Sequence, residues 1–71
     1  MYSTQNPVII LKPKEKIILR MIADGNTSIQ IADKLCLSLN TIKWYRKKLK
    51  ARFETANTAQ MIRKAMENGL L

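Results

Sequence analysis

The chain has 71 residues, carries 13 Lys and Arg against 5 Asp and Glu for a formal net charge of +8, and contains one cysteine and no histidine. That length is room for one domain, and a lone Cys36 without imidazole partners excludes an intrachain disulfide and a tetrahedral zinc site. The charge balance, with a pI near 10.1, favours a polyanionic partner, with nucleic acid first, anionic membrane second and an acidic protein third.

The first ten residues, 1–10, read as a flexible lead-in or linker stub. Met1 to Pro7 is polar and aperiodic, and Val8 to Leu11 is a short apolar patch. No apolar run approaches the roughly 18 residues needed to cross a bilayer. The basic residues follow the apolar patch instead of preceding it, which is not the plan of a signal peptide. A reduced, cytoplasmic setting without membrane contact is therefore expected.

A first helix is predicted from Pro13, a residue suited to the first turn because its φ is fixed and it has no donor to waste. Ile18, Leu19, Ile22 and Ala23 form its apolar stripe, while Lys14, Glu15, Lys16, Arg20 and Asp24 read as lying mostly off it. Lys12 is a poor N-cap, and Gly25 supplies the left-handed residue that ends the helix. The second helix starts better. Thr27-Ser-Ile-Gln30 is a capping-box pattern, and Ile31, Ala32 and Leu35 give its buried side before an end near Leu35.

Cys36 and Leu37 make a tight connection to Ser38, the expected cap of a third helix over about 39–53. Ile42, Tyr45, Leu49 and Phe53 are spaced 3, 4 and 4, one helical face, and Asn40, Lys43, Trp44, Lys47 and Lys50 take the other. From Lys34 to Arg52 there are seven basic residues and no acidic one. A fourth helix is predicted from about Thr58 to Asn68, capped by Asn57 with Gln60 at the reciprocal position. Ile62, Ala65 and Met66 are read as its buried stripe, and Gly69 and Leu70 as its closure. The expected fold is all-α, a compact four-helix bundle without a wing.

Two short helices joined by a three-residue turn are the elements of a DNA-binding helix-turn-helix. Ala32 is small where the two helices would cross, and Ile31, Leu35, Leu37, Ile42 and Tyr45 are placed to lock them. At these residues the chain resembles the LuxR-type family, the effector domains of quorum-sensing and NarL/FixJ-like regulators, from about Leu11 to Leu71. The opening LKPKEKIILRMIADG is similar to the family's L-T-P-R-E start. TSIQIADKLCLSLNTIKWYRKKL resembles its S-N-x-E-I-A and S-x-x-T-V-K-x-H segments, and ANTAQMIRKAMENGLL resembles its ending in A-x-x-x-G-L. Four departures stand out: Lys12 for a capping Thr, Tyr45 for a common His, Glu54-Thr55 for Gly-Val, and Thr58 for a frequent Arg. The third of these is expected to lengthen the third helix.

The resemblance implies sequence-specific binding of double-stranded DNA in bacterial-type transcription regulation, with the third helix in the major groove. Lys43, Trp44 and Lys47 match family positions that enter the groove, so they are the candidates for base contact. Lysine donates to guanine O6 and N7, and the indole meets a thymine methyl. Thr27, Ser28, Thr41, Arg46, Lys48, Lys50 and Arg52 are phosphate candidates, the first three because helix N-termini favour anions. Five or six ion contacts would give a log K against log salt slope of about −5.

By the same resemblance the fourth helix is a homodimer contact, through Met61, Lys64, Ala65 and Asn68, and residues 11–71 are the effector domain of a response-regulator-type protein. Its N-terminal partner domain would be a receiver or sensor, and RNA polymerase is a further candidate partner. Two alternatives stand beside this reading: a sigma-factor region-4-like DNA-binding fragment, and a basic helical adaptor for an acidic protein or anionic membrane. An enzyme is not expected. No histidine, Cys–His pair, carboxylate cluster or glycine-rich phosphate loop is present to do acid–base or nucleophilic work, and no cofactor or metal is implied.

Overall fold

A computed structural model describes residues 9–71. Four helices follow in order, α1 Pro13–Ala23, α2 Ser28–Leu35, α3 Leu39–Arg52 and α4 Thr58–Glu67, with no strand among the described residues. The lead-in expected over 1–10 lies outside them except for Ile9 and Ile10. Ile9 packs on the core, and Leu11 is buried in it.

Helix starts follow the side chains able to accept a free backbone donor. The Thr27 hydroxyl accepts from the Gln30 N–H at 3.1 Å, and the Gln30 side chain accepts from the Thr27 N–H at 2.8 Å. Ser38 accepts from the Thr41 N–H at 3.0 Å, and Asn57 from the Gln60 N–H at 2.9 Å. Gln60 reaches back to the Ala56 N–H, at 3.5 Å, and not to Asn57. At α1 only half of such a box exists. The Glu15 carboxylate accepts from the Lys12 N–H at 2.8 Å, and a lysine side chain has nothing with which to accept in return.

All four helices close on a left-handed residue followed by a backbone bond spanning the last turn, the Schellman arrangement. The left-handed positions are Gly25, Cys36, Glu54 and Gly69, with φ of 95°, 56°, 56° and 73°. The spanning bonds are Asn26 N–H to Met21 O, Leu37 to Ala32, Thr55 to Lys50 and Leu70 to Ala65, at 2.8–3.0 Å. Glu54-Thr55 therefore does not lengthen α3. The glutamate adopts the turn a glycine would, and the helix stops at Arg52. A non-glycine residue there costs about 1–2 kcal/mol, against about 0.4–1 kcal/mol that glycine loses through its freer unfolded chain. Cys36→Gly and Glu54→Gly, both at exposed positions, should each stabilise the fold by about 0.5–1 kcal/mol. A urea midpoint that fails to rise in either variant contradicts this.

α3 packs against all three other helices. Ile42, Leu49 and Phe53 from α3 meet Ile18, Leu19 and Ile22 from α1, Ile31 and Ala32 from α2, and Met61 and Ala65 from α4. Ala32, read as the small residue where α2 and α3 cross, is buried in this core. Three expectations are corrected. Glu15 is not off the α1 stripe: it is 1% exposed, whereas Ala23 is exposed. The buried face of α4 is rotated by about one residue, so that Met61 and Ala65 are buried, Ile62 is half-buried and Met66 is 63% exposed.

Candidate nucleic-acid interface

The third helix has one greasy side and one polar side because its inward residues recur at the helical period. With Ile42, Leu49 and Phe53 buried, Asn40, Lys43, Trp44 and Lys47 stand on the opposite side, all exposed. Their spacing of 3, 1 and 3 puts them on one face. No acid lies on α3, so Lys43 and Lys47 give this face a positive charge that nothing on the helix offsets. The three residues expected at base edges are thus brought together, and they point away from the protein.

The helix N-termini on which Thr27, Ser28 and Thr41 sit are capped but not closed. The caps use the third N–H of each helix, leaving those of Ser28 and Ile29 in α2, and of Leu39 and Asn40 in α3, without an intrahelical acceptor. Outward-facing donors at the positive end of the peptide dipoles suit an anion. The Thr41 hydroxyl is already shared with Ser38, at 2.8 Å.

The flanks of α3 differ from the sequence expectation. Lys48 and Arg52 were candidates for phosphate contact, but both turn to Glu15. Lys48 Nζ is 3.2 Å from Glu15 Oε2, and Arg52 Nη1 is 3.2 Å from Oε1. Arg52 also donates to the Ile10 carbonyl. Burial pushes the Glu15 carboxyl up. The Lys12 N–H, the Lys48 ammonium and the Arg52 guanidinium outweigh it and hold the group below its ordinary value. Moving either cation to a phosphate would give up one of the two ion pairs of a buried carboxylate, so as placed both face Glu15 and are left out of the phosphate set proposed below. On the other flank Arg46 Nη2 donates to the Thr58 hydroxyl at 3.2 Å, joining α3 to the start of α4. Lys50 is half-buried.

Trp44 is 55% exposed. Its ring and that of Tyr45 meet in a T-shape, with centroids 5.0 Å apart and planes at 77°, and Lys48 Nζ lies 4.8 Å from the indole centroid. Sequence reasoning missed the Glu15 contacts, which join residues as much as 37 positions apart.

On α4 the residues expected to form a dimer contact do not share an outward face. Met61 and Ala65 are 1% and 0% exposed, filling the core of their own chain. Lys64 donates to the Phe53 carbonyl at 3.1 Å, and Asn68 to the Lys64 carbonyl at 2.8 Å. Met61 and Ala65 are therefore corrected to core residues. The outer side of α4 is carried by Arg63, Met66 and Glu67.

Comparison with known proteins agrees with this architecture. The profile of the bacterial regulatory proteins of the luxR family (GerE) matches residues 10–65. The transcriptional regulatory protein MctR of Rhizobium johnstonii is 34% identical over 61 residues, covering 86% of this chain and 28% of MctR. The regulatory protein SdiA of Escherichia coli is 34% identical over 65 residues, covering 92% of this chain and 27% of SdiA. A solved Vibrio cholera VqmA–ligand–DNA complex shares the fold, with a TM-score of 0.82 at 23% identity over 99% of this chain and 31% of that one. The chain thus spans about a third or less of these relatives. With its helix-turn-helix and an outer face on the second helix of that motif that carries Lys43 and Lys47 and no acid, the chain belongs to the LuxR family of bacterial regulatory proteins, as a DNA-binding domain of transcription regulation.

Proposed function

We propose that α3 lies in the major groove of duplex DNA and reads base edges with Lys43, Trp44 and Lys47. The observation that carries this reading is the division of α3, with Ile42, Leu49 and Phe53 buried on one side and those three exposed on the other. Thr27, Ser28, Thr41, Arg46 and Lys50 meet phosphates, fixing the register that lets base contacts discriminate. The two cations placed at phosphates, Arg46 and Lys50, correspond to a salt slope of about −2, shallower than the seven basic residues between Lys34 and Arg52 would suggest.

Two copies on half-sites about 34 Å apart would combine their free energies. A pairing through α4 would use Met66 and Arg63, with Lys64 and Asn68 at its edge, in place of Met61 and Ala65. In the intact cytoplasmic regulator, an N-terminal receiver or sensor domain would control the effector, and RNA polymerase would be its downstream partner. The domain's role is binding, with no catalytic step.

Selection of bound sequences from random duplexes tests this directly and returns half-site spacing as well. Lys43→Ala and Lys47→Ala should each weaken binding to the selected duplex by ~1–3 kcal/mol without unfolding the chain. An equal loss on a scrambled duplex would make them phosphate contacts. Binding to anionic vesicles in preference to any duplex would overturn the groove reading and favour a basic adaptor.

A further inference from the structure

We infer that Lys48 is a positioning residue for Trp44, held by Glu15 so that its ammonium fixes the indole on the groove-facing side of α3. The inference rests on the DNA-binding reading above and adds a specificity role to a lysine that touches no base. Lys48 follows Trp44 by four residues, and long side chains on a helix lean back over the preceding turn. Its ammonium lies 4.8 Å from the indole centroid and 3.2 Å from Glu15 Oε2. One ammonium thus holds both partners at once, and its side chain is only 33% exposed.

Glu15 gives this arrangement its permanence. The carboxylate is buried, anchored at the start of α1 by the Lys12 N–H at 2.8 Å, and shared with Arg52. A lysine on an open helix face samples many rotamers, whereas one tied to a fixed, buried carboxylate does not. The Tyr45 and Trp44 rings meet in a T-shape at 77°, so Trp44 is bounded by a neighbouring ring and by a cation over its face. Both contacts match the quadrupole of an aromatic ring. A preorganised indole loses less freedom on meeting a thymine methyl, and the gain appears only where the base presents that methyl. Because its ammonium is turned to Glu15 and the indole, Lys48 is not aimed at a phosphate and is absent from the salt slope.

Trp44 is the sole tryptophan, so its fluorescence reports the clamp directly in the free protein. Lys48→Met keeps the apolar stem and removes the charge; Lys48→Arg restores a cation able to satisfy both partners. The full chain and each variant are to be compared for time-resolved tryptophan anisotropy without DNA, and for affinity and salt slope on a selected duplex and a scrambled duplex of equal composition. Circular dichroism monitors the fold. Lys48→Met is expected to speed local motion of the indole. It should also weaken the selected duplex by about threefold to fivefold, the scale of one exposed cation–π contact. The scrambled duplex and both slopes should stay unchanged, and Lys48→Arg should recover the parent's values.

Equal losses on both duplexes with a slope shallower by about one would make Lys48 a phosphate contact and overturn the inference. Unchanged indole motion in folded Lys48→Met would also overturn it, even with DNA binding intact. If the parent binds no duplex, the groove reading fails and the specificity role goes with it, while the anisotropy still decides whether Lys48 restrains Trp44.

Discussion

Replacing Phe53 with alanine should abolish the cooperative unfolding transition of this chain. Phe53 is among the largest fully buried side chains, at 1% exposure, and sits at the C-cap of α3 in the shared core. Truncation removes its transfer free energy and leaves a cavity, together costing about 3–5 kcal/mol. A domain of this size without a disulfide or metal has only about 3–5 kcal/mol in all. The cost matches the whole margin. Thermal melts followed by circular dichroism are the test. A cooperative transition within about 10 °C of the parent would show that the core collapses around the vacancy.

The second large effect is expected at Glu15. Glu15→Ala removes the acceptor of the Lys12 N–H and the common partner of Lys48 and Arg52. Loss of a helix cap costs about 0.5–2 kcal/mol. Breaking a buried ion pair costs about 3–5 kcal/mol when the surviving charge stays trapped. Here each cation's side chain is 33% exposed, so both can turn toward water and the second cost is only partly incurred. A total of about 2–3 kcal/mol is expected.

The same carboxylate makes stability pH-dependent in a defined direction. Its folded-state pKa is held below the ordinary value of 4.5, so the folded form binds protons less readily than the unfolded chain. The resulting stabilisation is fully present above about pH 4.5 and disappears as pH falls through the lower, folded-state value. Urea titrations of the parent should show stability falling in that acidic window. Glu15→Gln should have a lower plateau at neutral pH and a flatter profile below 4.5. Identical pH profiles for the two proteins would remove Glu15 from the account.

The elements were legible in the sequence where local chemistry decides them. Thr27, Ser38 and Asn57 mark three helix starts by the hydroxyl or amide each offers to a backbone donor, and these caps form as read. The inward face of α3 was equally plain, because its apolar residues repeat without a competing stripe. Glu15 was misread although Glu15, Ile18, Leu19 and Ile22 have ideal spacing for one face. A charge is ordinarily placed in solvent, and the cations that make its burial tolerable come from α3. On α4, Met61 with Ala65 and Ile62 with Met66 have the same four-residue spacing. Only packing against α3 chooses between them, and that information is tertiary. The outward positions of Lys43, Trp44 and Lys47 followed from the α3 stripe. The capture of Lys48 and Arg52 did not, because helical spacing says which way a residue leaves the axis and not what awaits it there.

The contact between Lys64 and the Phe53 carbonyl makes the last helix a strut. It places a cation on the negative end of α3, while Met61 and Ala65 fill the space beneath. A graft of residues 28–52 onto another scaffold would carry the outward side chains of the motif without this support. Such a transplant needs its own prop at the far end, so the portable unit is larger than the part that would touch a nucleotide.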